Sequence, residues 1–114
     1  MDINNSDLLD QIKDLATKDF PHETCGLIVC EKEGSWRVVS LKNHSQSPKE
    51  SFLISPLDFI EHKNIAAIYH SHPDSSSAPS HADRLYCNEL QLNFLIYSII
   101  EDKFSVLTPL EESV

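Results

Sequence analysis

The sequence predicts an α/β fold in which helices flank a mixed β-sheet. Segments with apolar residues at helical spacing alternate along the chain with short apolar runs that suit buried strands. The length of 114 residues fits a single domain of the commonest size, so residues 1–114 are assigned to one domain. A hydrophobic fraction of 40% is sufficient for one core that needs neither disulfides nor a structural metal.

Three segments carry helix signals, in which a capping residue opens a stretch suited to helix. They are residues 6–19, 55–63 and 80–90, with Ser6, Ser55 and Ser80 as the expected N-caps. Pro21 stops the first of these helices. Pro56 fits the first position of the second helix, and Asp58 is expected to close a capping box there.

Six short segments are predicted to be strands because they are apolar runs of strand length. They are residues 24–30, 36–41, 51–54, 65–69, 92–100 and 104–107. The polar stretch 31–35 contains Gly34 and predicts a hairpin turn between the first two strands. Residues 36–41 or 104–108 are expected at a sheet edge, where a second copy could pair, so monomer and weak dimer both stay open.

The charge balance disfavours several classes of partner. The chain has 18 acidic residues against 9 basic ones, a formal charge of −9. Such a surface disfavours nucleic acid and anionic membranes as partners. The most apolar stretch, 92–100, is well short of the roughly 18 to 20 residues that a membrane helix needs. The N-terminus shows no leader pattern, so we expect a cytoplasmic protein without membrane insertion, with incorporation into a larger particle left open.

Three cysteines occur at irregular spacing, namely Cys25, Cys30 and Cys87. An odd count does not indicate a disulfide framework, and the first two are not spaced like a zinc knuckle. The sequence therefore predicts buried free thiols in a reducing compartment.

His70 and His72 form the first half of a candidate metal site. They follow the predicted strand 65–69, and residues two apart on a strand point to the same face. Pro73 then takes the chain out of the sheet, so both imidazoles are expected at its rim. Asp83 falls in the first turn of the next helix, and the intervening loop is long enough to fold that turn back over the histidines.

Two imidazoles and one carboxylate are a common protein ligand set for zinc, and they leave the fourth tetrahedral position to water. An open position distinguishes a catalytic zinc from a structural one. Each half of the pattern also has a simpler interpretation. A His-x-His pair alone is a weak indicator of a metal, and Ser80 with Asp83 could form only a helix capping box. The combined spacing is much more specific than either half.

The order of these residues matches a known motif. His-Ser-His-Pro at 70–73, followed by Ser80 and Asp83, fits the JAMM pattern His-x-His-Pro-x6-Ser-x2-Asp at every fixed position. Residues 21–27 resemble the upstream segment of the same family, with Glu23 in the place of its glutamate. Over nearly its whole length the chain therefore resembles the JAMM, or MPN-plus (Mov34-type), zinc metallopeptidase domain.

This resemblance implies a cytidine-deaminase-like fold, a mixed β-sheet flanked by helices in a single JAMM/MPN domain, that hydrolyses a peptide or isopeptide bond. It implies that His70, His72 and Asp83 hold Zn2+. It further implies that Glu23 is the general base on the zinc water and hands the proton to the leaving amine. Ser80 would donate a hydrogen bond to the developing oxyanion.

A narrower likeness concerns residues 79–89, which resemble the JAMM part of phage tail-assembly proteins of the K type. In that group an NlpC/P60-type cysteine-peptidase domain often follows, and here it is expected to be absent or encoded elsewhere. The implied partners are a peptide or protein substrate, such as a phage tail-tip protein or a peptidoglycan peptide, and an NlpC/P60-type peptidase. The implied location adds the phage particle to the cytoplasm.

Two hypotheses of different classes stay open. The complete set of motif residues favours an active peptidase, in which His22 and Glu31 are the nearest rivals of Glu23 for the role of base. The alternative is a non-catalytic MPN-type binding or scaffold module, which the acidic surface and small size would suit. A zinc deaminase is disfavoured because the sequence lacks its His-x-Glu and Pro-Cys-x-x-Cys signatures.

Overall fold

The structure, a computed structural model, describes residues 5–110 apart from the side chain of Glu33. Helices and strands interleave along this part of the chain as the sequence predicts. The elements are α1 (Ser6–Asp19), β1 (Cys25–Cys30), a 3-10 turn (Lys32–Gly34), β2 (Trp36–Leu41), α2 (Pro56–Glu61), β3 (Ile65–His72), α3 (His81–Leu90), β4 (Asn93–Ser98) and β5 (Lys103–Leu107).

The strands form one mixed sheet in the order β2-β1-β3-β4-β5. The central strand, β3, is antiparallel to β1 and parallel to β4, and α3 makes the crossover between the parallel pair. β2 and β5 lie at the two edges, as the sequence predicts. In the sheet register His70 lies between Cys25 of β1 and Ile96 of β4, so neighbouring strands enclose its backbone on both sides.

Each face of the sheet has its own core. On one face, the buried residues of α1 (Leu8, Ile12 and Ala16) pack on alternate strand residues, namely Ile28, Ala67, Tyr69 and Leu95. On the other face, Cys87 of α3 and Phe52 and Ile54 from the segment before α2 cover a second set of strand residues, namely Leu27, Ile68, Phe94 and Ile96. Because side chains alternate along a strand, Ile68, His70 and His72 of β3 share the face that α3 covers.

Two helix caps differ from the prediction. Asn5 rather than Ser6 caps α1, because the Asn5 side chain accepts a first-turn backbone N–H at 3.2 Å and Ser6 is already helical. Ser55 caps α2 as predicted, but its hydroxyl accepts the Leu57 N–H at 3.3 Å. The predicted capping box is therefore wrong, because the Ser55 hydroxyl accepts the N–H of Leu57 and not that of Asp58. The cap of α3 by Ser80 is confirmed.

Two strand predictions differ in length. β3 continues to His72 instead of ending before the histidines, since both keep their parallel partners in β4. β4 ends at Ser98, earlier than predicted, because residues 99–102 turn towards β5 with Asp102 at a φ of 51°.

The predicted strand at 51–54 does not form. Its alternating burial is real, since Phe52 and Ile54 are buried and Leu53 is exposed. Its main-chain groups, however, are bound locally or by side chains instead of by a neighbouring strand. The Leu53 carbonyl accepts from the His44 N–H at 2.8 Å, and the Ile54 N–H donates to the Tyr86 hydroxyl at 3.4 Å. Burial therefore follows the strand pattern while hydrogen bonding does not.

The three cysteines are free thiols, as predicted, with Cys25 and Cys87 buried and Cys30 half-buried. Within residues 5–110, no helix has the length and apolar character that crossing a bilayer requires. The predicted frayed tail at 111–114 lies outside the described residues.

The first prediction concerns Gly26 in β1. A methyl group on Gly26 would overlap the Val39 carbonyl and the Tyr69 ring, and both are fixed in the sheet core. Gly26→Ala should therefore lower the free energy of unfolding by about 3 kcal/mol, measured by denaturant titration. Gly34→Ala is the control, because Gly34 has open space and only its φ of 77° opposes a side chain, at a cost of about 1 kcal/mol. Equal losses in the two variants would contradict this account of packing.

Candidate metal centre

The end of β3 and the start of α3 bring His70, His72 and Asp83 together. The Nε2 atoms of His70 and His72 lie 3.0 and 2.9 Å from the two oxygens of the Asp83 carboxylate. One potential ligand atom from each residue falls within 4.8 Å of the others, and all three side chains are buried. Ligands of a tetrahedral zinc lie about 3.3 Å apart, so these donors have roughly the spacing that one ion requires.

The chemistry of His70 fits a metal ligand. The residue is completely buried, yet neither ring nitrogen has a hydrogen-bond partner among the described residues. The 3.0 Å approach of Asp83 to Nε2 lacks the alignment of a hydrogen bond, as expected for two groups that point at a common third atom. The sequence predicts both rings at the rim of the sheet, and His70 lies opposite Cys25, the first residue of β1. His70 is nevertheless completely buried, and Phe52 stacks on its ring at 4.2 Å between centroids.

Burial and charge set the protonation of the three groups. Burial lowers the pKa of His70, which favours the neutral imidazole that binds metals. Burial also opposes the charge on His72, but hydrogen bonds to Asp83 and to the Ser76 carbonyl outweigh it and raise the pKa of His72. The pKa of Asp83 is lowered, because the two histidines outweigh its own burial. A cation at this position would replace the proton shared by His72 and Asp83.

The Ser-rich loop after β3 fixes the orientation of His72. His72 Nδ1 donates to the Ser76 carbonyl at 2.7 Å, which turns Nε2 towards Asp83. The loop is held by β4 and β5, since Ser98 Oγ donates to the Ser75 carbonyl at 2.7 Å and Ser105 Oγ donates to the Ser77 carbonyl. Sequence reasoning missed these supports, and the only signal for Ser98 was a hydroxyl inside an otherwise apolar strand.

Ser80 and Asp83 form the predicted capping box at the start of α3. The Ser80 hydroxyl accepts the Asp83 N–H at 3.0 Å, and the Ser80 N–H donates to Asp83 Oδ2 at 3.0 Å. The capping box therefore coexists with the contacts of Asp83 to the histidines. Ser80 is exposed and lines, together with Phe52 and Leu53, a cleft of about 290 Å³ beside Asp83. Its hydroxyl proton is free to point into that cleft.

Glu23 lies just before β1 and is only 5% exposed. Its Oε1 has no hydrogen-bond partner among the described residues. Burial raises its pKa to about 8; the positive charge on His72 opposes this rise, and the negative charges of Asp83 and Asp74 add to it. The carboxyl thus responds to the charges of the centre, although Glu23 is outside the cluster of three ligand groups.

Thr24 connects Glu23 to the strand that carries the histidines. The Thr24 N–H donates to Ser71 Oγ at 2.9 Å, and the Thr24 carbonyl accepts the Ser71 N–H at 3.1 Å. Ser71 stands between His70 and His72, so this double contact holds the Glu23 backbone next to both imidazoles. No local sequence pattern indicates this role for Ser71.

The rival residues lie elsewhere. His22 is exposed, and Glu31, at the far end of β1, forms an ion pair with Arg37. His81 and His44 are also exposed, and neither belongs to the ligand cluster within the described residues. Of the candidates for general base, Glu23 is the one that the fold buries near the centre.

The sheet, the crossover helix and the three converging candidate ligands, His70, His72 and Asp83, point to one class of protein. The chain belongs to the prokaryotic homologs of the JAB domain, a family that matches residues 5–108. Among curated proteins it is similar to tail tip assembly protein K of Escherichia phage N15, with 33% identity over 104 residues. The match covers 89% of this chain and 42% of that protein, so the chain spans less than half the length of this relative.

Solved structures agree with this family. A protein from Desulfitobacterium hafniense superposes with a TM-score of 0.68 at 27% identity, covering 86% of this chain and 75% of that one. A JAB1/MPN domain protein from Archaeoglobus fulgidus gives 0.62 at 20% identity, with 89% and 83% covered. A structure described as JAMM, a metalloprotease-like zinc site in the proteasome and signalosome, gives 0.59 at 18% identity, with 94% and 86% covered. The last two establish the shared JAB/MPN fold.

The second prediction concerns the ligands. Wild-type protein should bind one Zn2+ per chain, measured by competition with a chromophoric chelator. Asp83→Asn should weaken this binding by more than about 100-fold, because an amide does not replace a carboxylate ligand. Asp74→Asn is the control, since Asp74 is an exposed acid close in sequence to the centre. Equal affinities for the two variants would exclude Asp83 as a ligand.

The third prediction concerns Glu23 in metal-free protein. Its pKa in the folded state, about 8, lies above its ordinary value of 4.5, so its stabilising contribution is full below pH 4.5 and is lost as the pH rises towards 8. Between pH 5 and 7, wild type should lose on the order of 2 kcal/mol relative to Glu23→Gln. Denaturant titrations with chelator measure this difference.

Glu61→Gln is the matched control for that measurement, because Glu61 is exposed at the end of α2. Its stability should follow that of wild type at both pH values. A constant difference between wild type and Glu23→Gln from pH 5 to 7 would mean that Glu23 is not buried as described.

Proposed function

We propose that this chain is a zinc-dependent metallopeptidase that hydrolyses a peptide or isopeptide bond. The observation that supports the proposal most is the convergence of His70, His72 and Asp83 together with the burial of Glu23, whose Oε1 has no hydrogen-bond partner among residues 5–110. Three ligands with a free carboxyl nearby suit a catalytic centre better than a closed structural site, which uses four protein ligands.

His70, His72 and Asp83 would hold the ion, and their donor atoms are of the kind that zinc prefers. When bound, zinc supplies a Lewis acid for a substrate carbonyl and lowers the pKa of a coordinated water to about 7. The hydrogen bond of His72 to the Ser76 carbonyl keeps the correct ring nitrogen turned towards the centre. The neutral form of His70, favoured by burial, is ready to bind without losing a proton.

Glu23 is proposed as the general base and acid. A carboxyl with a pKa of about 8 is protonated at neutral pH, and a cation among the three ligands would lower that value. The group then titrates within the range in which it can take a proton from the attacking water and return it to the leaving amine. With no hydrogen-bond partner among the described residues for Oε1, no competing contact holds this oxygen away from the reaction.

Ser80 is proposed to stabilise negative charge on the substrate oxygen. Its backbone N–H and the acceptor side of its hydroxyl are engaged by Asp83, which fixes the position of the oxygen atom. The remaining hydroxyl proton can be donated towards the cleft that Ser80 lines. An extended peptide fits such an open cleft better than a folded domain does.

We place the activity in phage tail assembly or local cell-wall penetration. The support is the 33% identity to a relative named as a tail tip assembly protein. A phage tail-tip protein or a peptidoglycan peptide is then the substrate, and an NlpC/P60-type peptidase is a partner. The working location is the cytoplasm of the host and then the phage particle.

The fourth prediction tests peptidase activity. Zinc-loaded protein should cleave a purified tail-tip protein or a peptidoglycan peptide, detected by mass spectrometry, and chelator should stop the reaction. Glu23→Gln should keep one zinc per chain while cleavage falls by at least about 100-fold, because only the proton-transferring group is lost. Glu61→Gln should cleave at the wild-type rate, since Glu61 is exposed and outside the centre.

Each outcome of that assay has a clear meaning. If neither substrate is cleaved by zinc-loaded wild type, the assignment to tail or cell-wall substrates fails. If the wild type binds a tail-tip protein without cleaving any peptide, the domain is a binding or scaffold module. If Glu23→Gln cleaves at the normal rate, Glu23 is not the base.

A further inference from the structure

The Asn43 side chain joins two parts of the molecule. Asn43 lies in the loop between β2 and α2, and its Nδ2 donates to the Glu23 carbonyl at 3.2 Å and to the Ser51 carbonyl at 3.0 Å. Its Oδ1 accepts the Ser45 N–H at 2.9 Å and the Leu53 N–H at 3.1 Å. Two donated and two accepted hydrogen bonds satisfy the whole amide group.

Glu23 precedes β1 and lies outside the paired residues of the sheet. Its main chain is therefore held by the loop between β2 and α2 and not by a neighbouring strand. Its N–H donates to the Pro48 carbonyl at 2.7 Å, and its carbonyl accepts from Asn43. Loop residues 43–48 therefore bind both main-chain polar groups of Glu23. Glu23 Oε1 is buried without a hydrogen-bond partner among the described residues, which favours movement of the carboxyl towards solvent, and the main-chain contacts oppose that movement.

The same amide also supports the cleft. Leu53 and Ser51 line the cleft that reaches Ser80 and Asp83. The Leu53 N–H and the Ser51 carbonyl are both hydrogen-bonded to the Asn43 side chain. A displacement of the Asn43 side chain would therefore move the cleft wall and the Glu23 backbone together.

We propose that Asn43 is a positioning residue, which fixes Glu23 beside the metal centre and couples it to the wall of the substrate cleft. This inference rests on the proposed role of Glu23 as general base. Small displacements of a reacting group reduce rates strongly, and an error of about 1 Å can lower them by about 100-fold. Asn43 contributes no ligand atom to the cluster of His70, His72 and Asp83, so it acts on the base without holding the ion.

Two substitutions distinguish the hydrogen bonds that the Asn43 side chain donates from those that it accepts. Asn43→Asp keeps an oxygen that accepts the Ser45 and Leu53 N–H groups but loses both donated bonds, including the one to Glu23. Asn43→Ala loses all four bonds. The control is Asn88→Ala, because Asn88 also accepts a backbone N–H through its side chain, but that of Leu110, far along the chain from Glu23.

The fifth prediction is measured on the zinc-loaded chain of residues 1–114. Hydrogen exchange followed by NMR should show the Glu23 amide exchanging at least about 10-fold faster in both Asn43 variants, because loss of the bond to its carbonyl frees the segment. The Leu53 amide should lose protection only in Asn43→Ala. The Leu27 amide in β1 should be unchanged in every variant, and each should retain one zinc.

Kinetics on the peptide cleaved by wild type give the second readout. In both Asn43 variants kcat should fall by about 10- to 100-fold, and KM should rise more in Asn43→Ala than in Asn43→Asp, because the alanine variant loses both the Ser51 and the Leu53 contacts to the cleft wall whereas the aspartate variant loses only the Ser51 contact. Asn88→Ala should match wild type in kcat and KM. A merely structural role would instead speed exchange throughout the sheet, Leu27 included.

The outcomes separate this inference from the proposed function. An unchanged Glu23 amide in both variants, or wild-type kcat in Asn43→Asp while Glu23→Gln is inactive, overturns the role of Asn43. Faster exchange at Leu27 together with Glu23 overturns it as well. If wild type cleaves no peptide at all, the peptidase proposal fails, and the exchange data alone decide whether Asn43 anchors Glu23.

Discussion

The centre depends on one electrostatic constraint, the neutralisation of the buried Asp83 carboxylate. Asp83 contacts both histidines, and it also accepts the Ser80 N–H that opens α3. A single side chain therefore ends the loop, starts the helix and joins that helix to the central strand. Removing His72 would leave the buried Asp83 carboxylate without its closest cationic partner, and loss of one partner from a buried ion pair costs several kcal/mol. The architecture around the centre keeps the Asp83 carboxylate in contact with both imidazoles.

The polar centre is surrounded by rigid supports. Phe52 stacks on His70, and the Ser76 carbonyl orients His72. Ser71 holds Thr24, and thereby the Glu23 segment, against the strand between the two imidazoles. These contacts come from the segment before β1, from β3 and the loop after it, and from the loop before α2, so the chain builds the centre from segments that are far apart in sequence. Because the side chains of such a site are already in place, binding an ion requires little rearrangement, and the free-energy cost of that rearrangement is small.

The sequence predicted the elements that periodicity and capping chemistry specify. The interleaved helices and strands, the edge positions of β2 and β5 and the Ser80 cap follow from apolar spacing and from residue types that favour helix starts. The convergence of His70, His72 and Asp83 was also predicted, because strand alternation puts both histidines on one face and the loop after them is long enough to bring Asp83 back over that face. Their roles as ligands, and those of Glu23 and Ser80 in catalysis, stay predictions.

Other features could not be read from local patterns. Residues 51–54 have the burial alternation of a strand, but their hydrogen bonds go to His44 and to the Tyr86 hydroxyl, which only the tertiary structure places there. The choice of Asn5 over its neighbour as the α1 cap is a difference of one residue between two good caps. The supports from Ser98 and Asn43 depend on contacts between distant segments, which spacing does not encode.

The most direct test of the central claim is X-ray absorption spectroscopy at the zinc edge on protein loaded with one equivalent of Zn2+. The account predicts four or five nitrogen or oxygen neighbours at about 2.0 Å, with the outer-shell scattering of two imidazoles. A sulfur neighbour at about 2.3 Å, or a spectrum without imidazole scattering, would contradict it, because the ion would then sit on a thiol or on surface carboxylates.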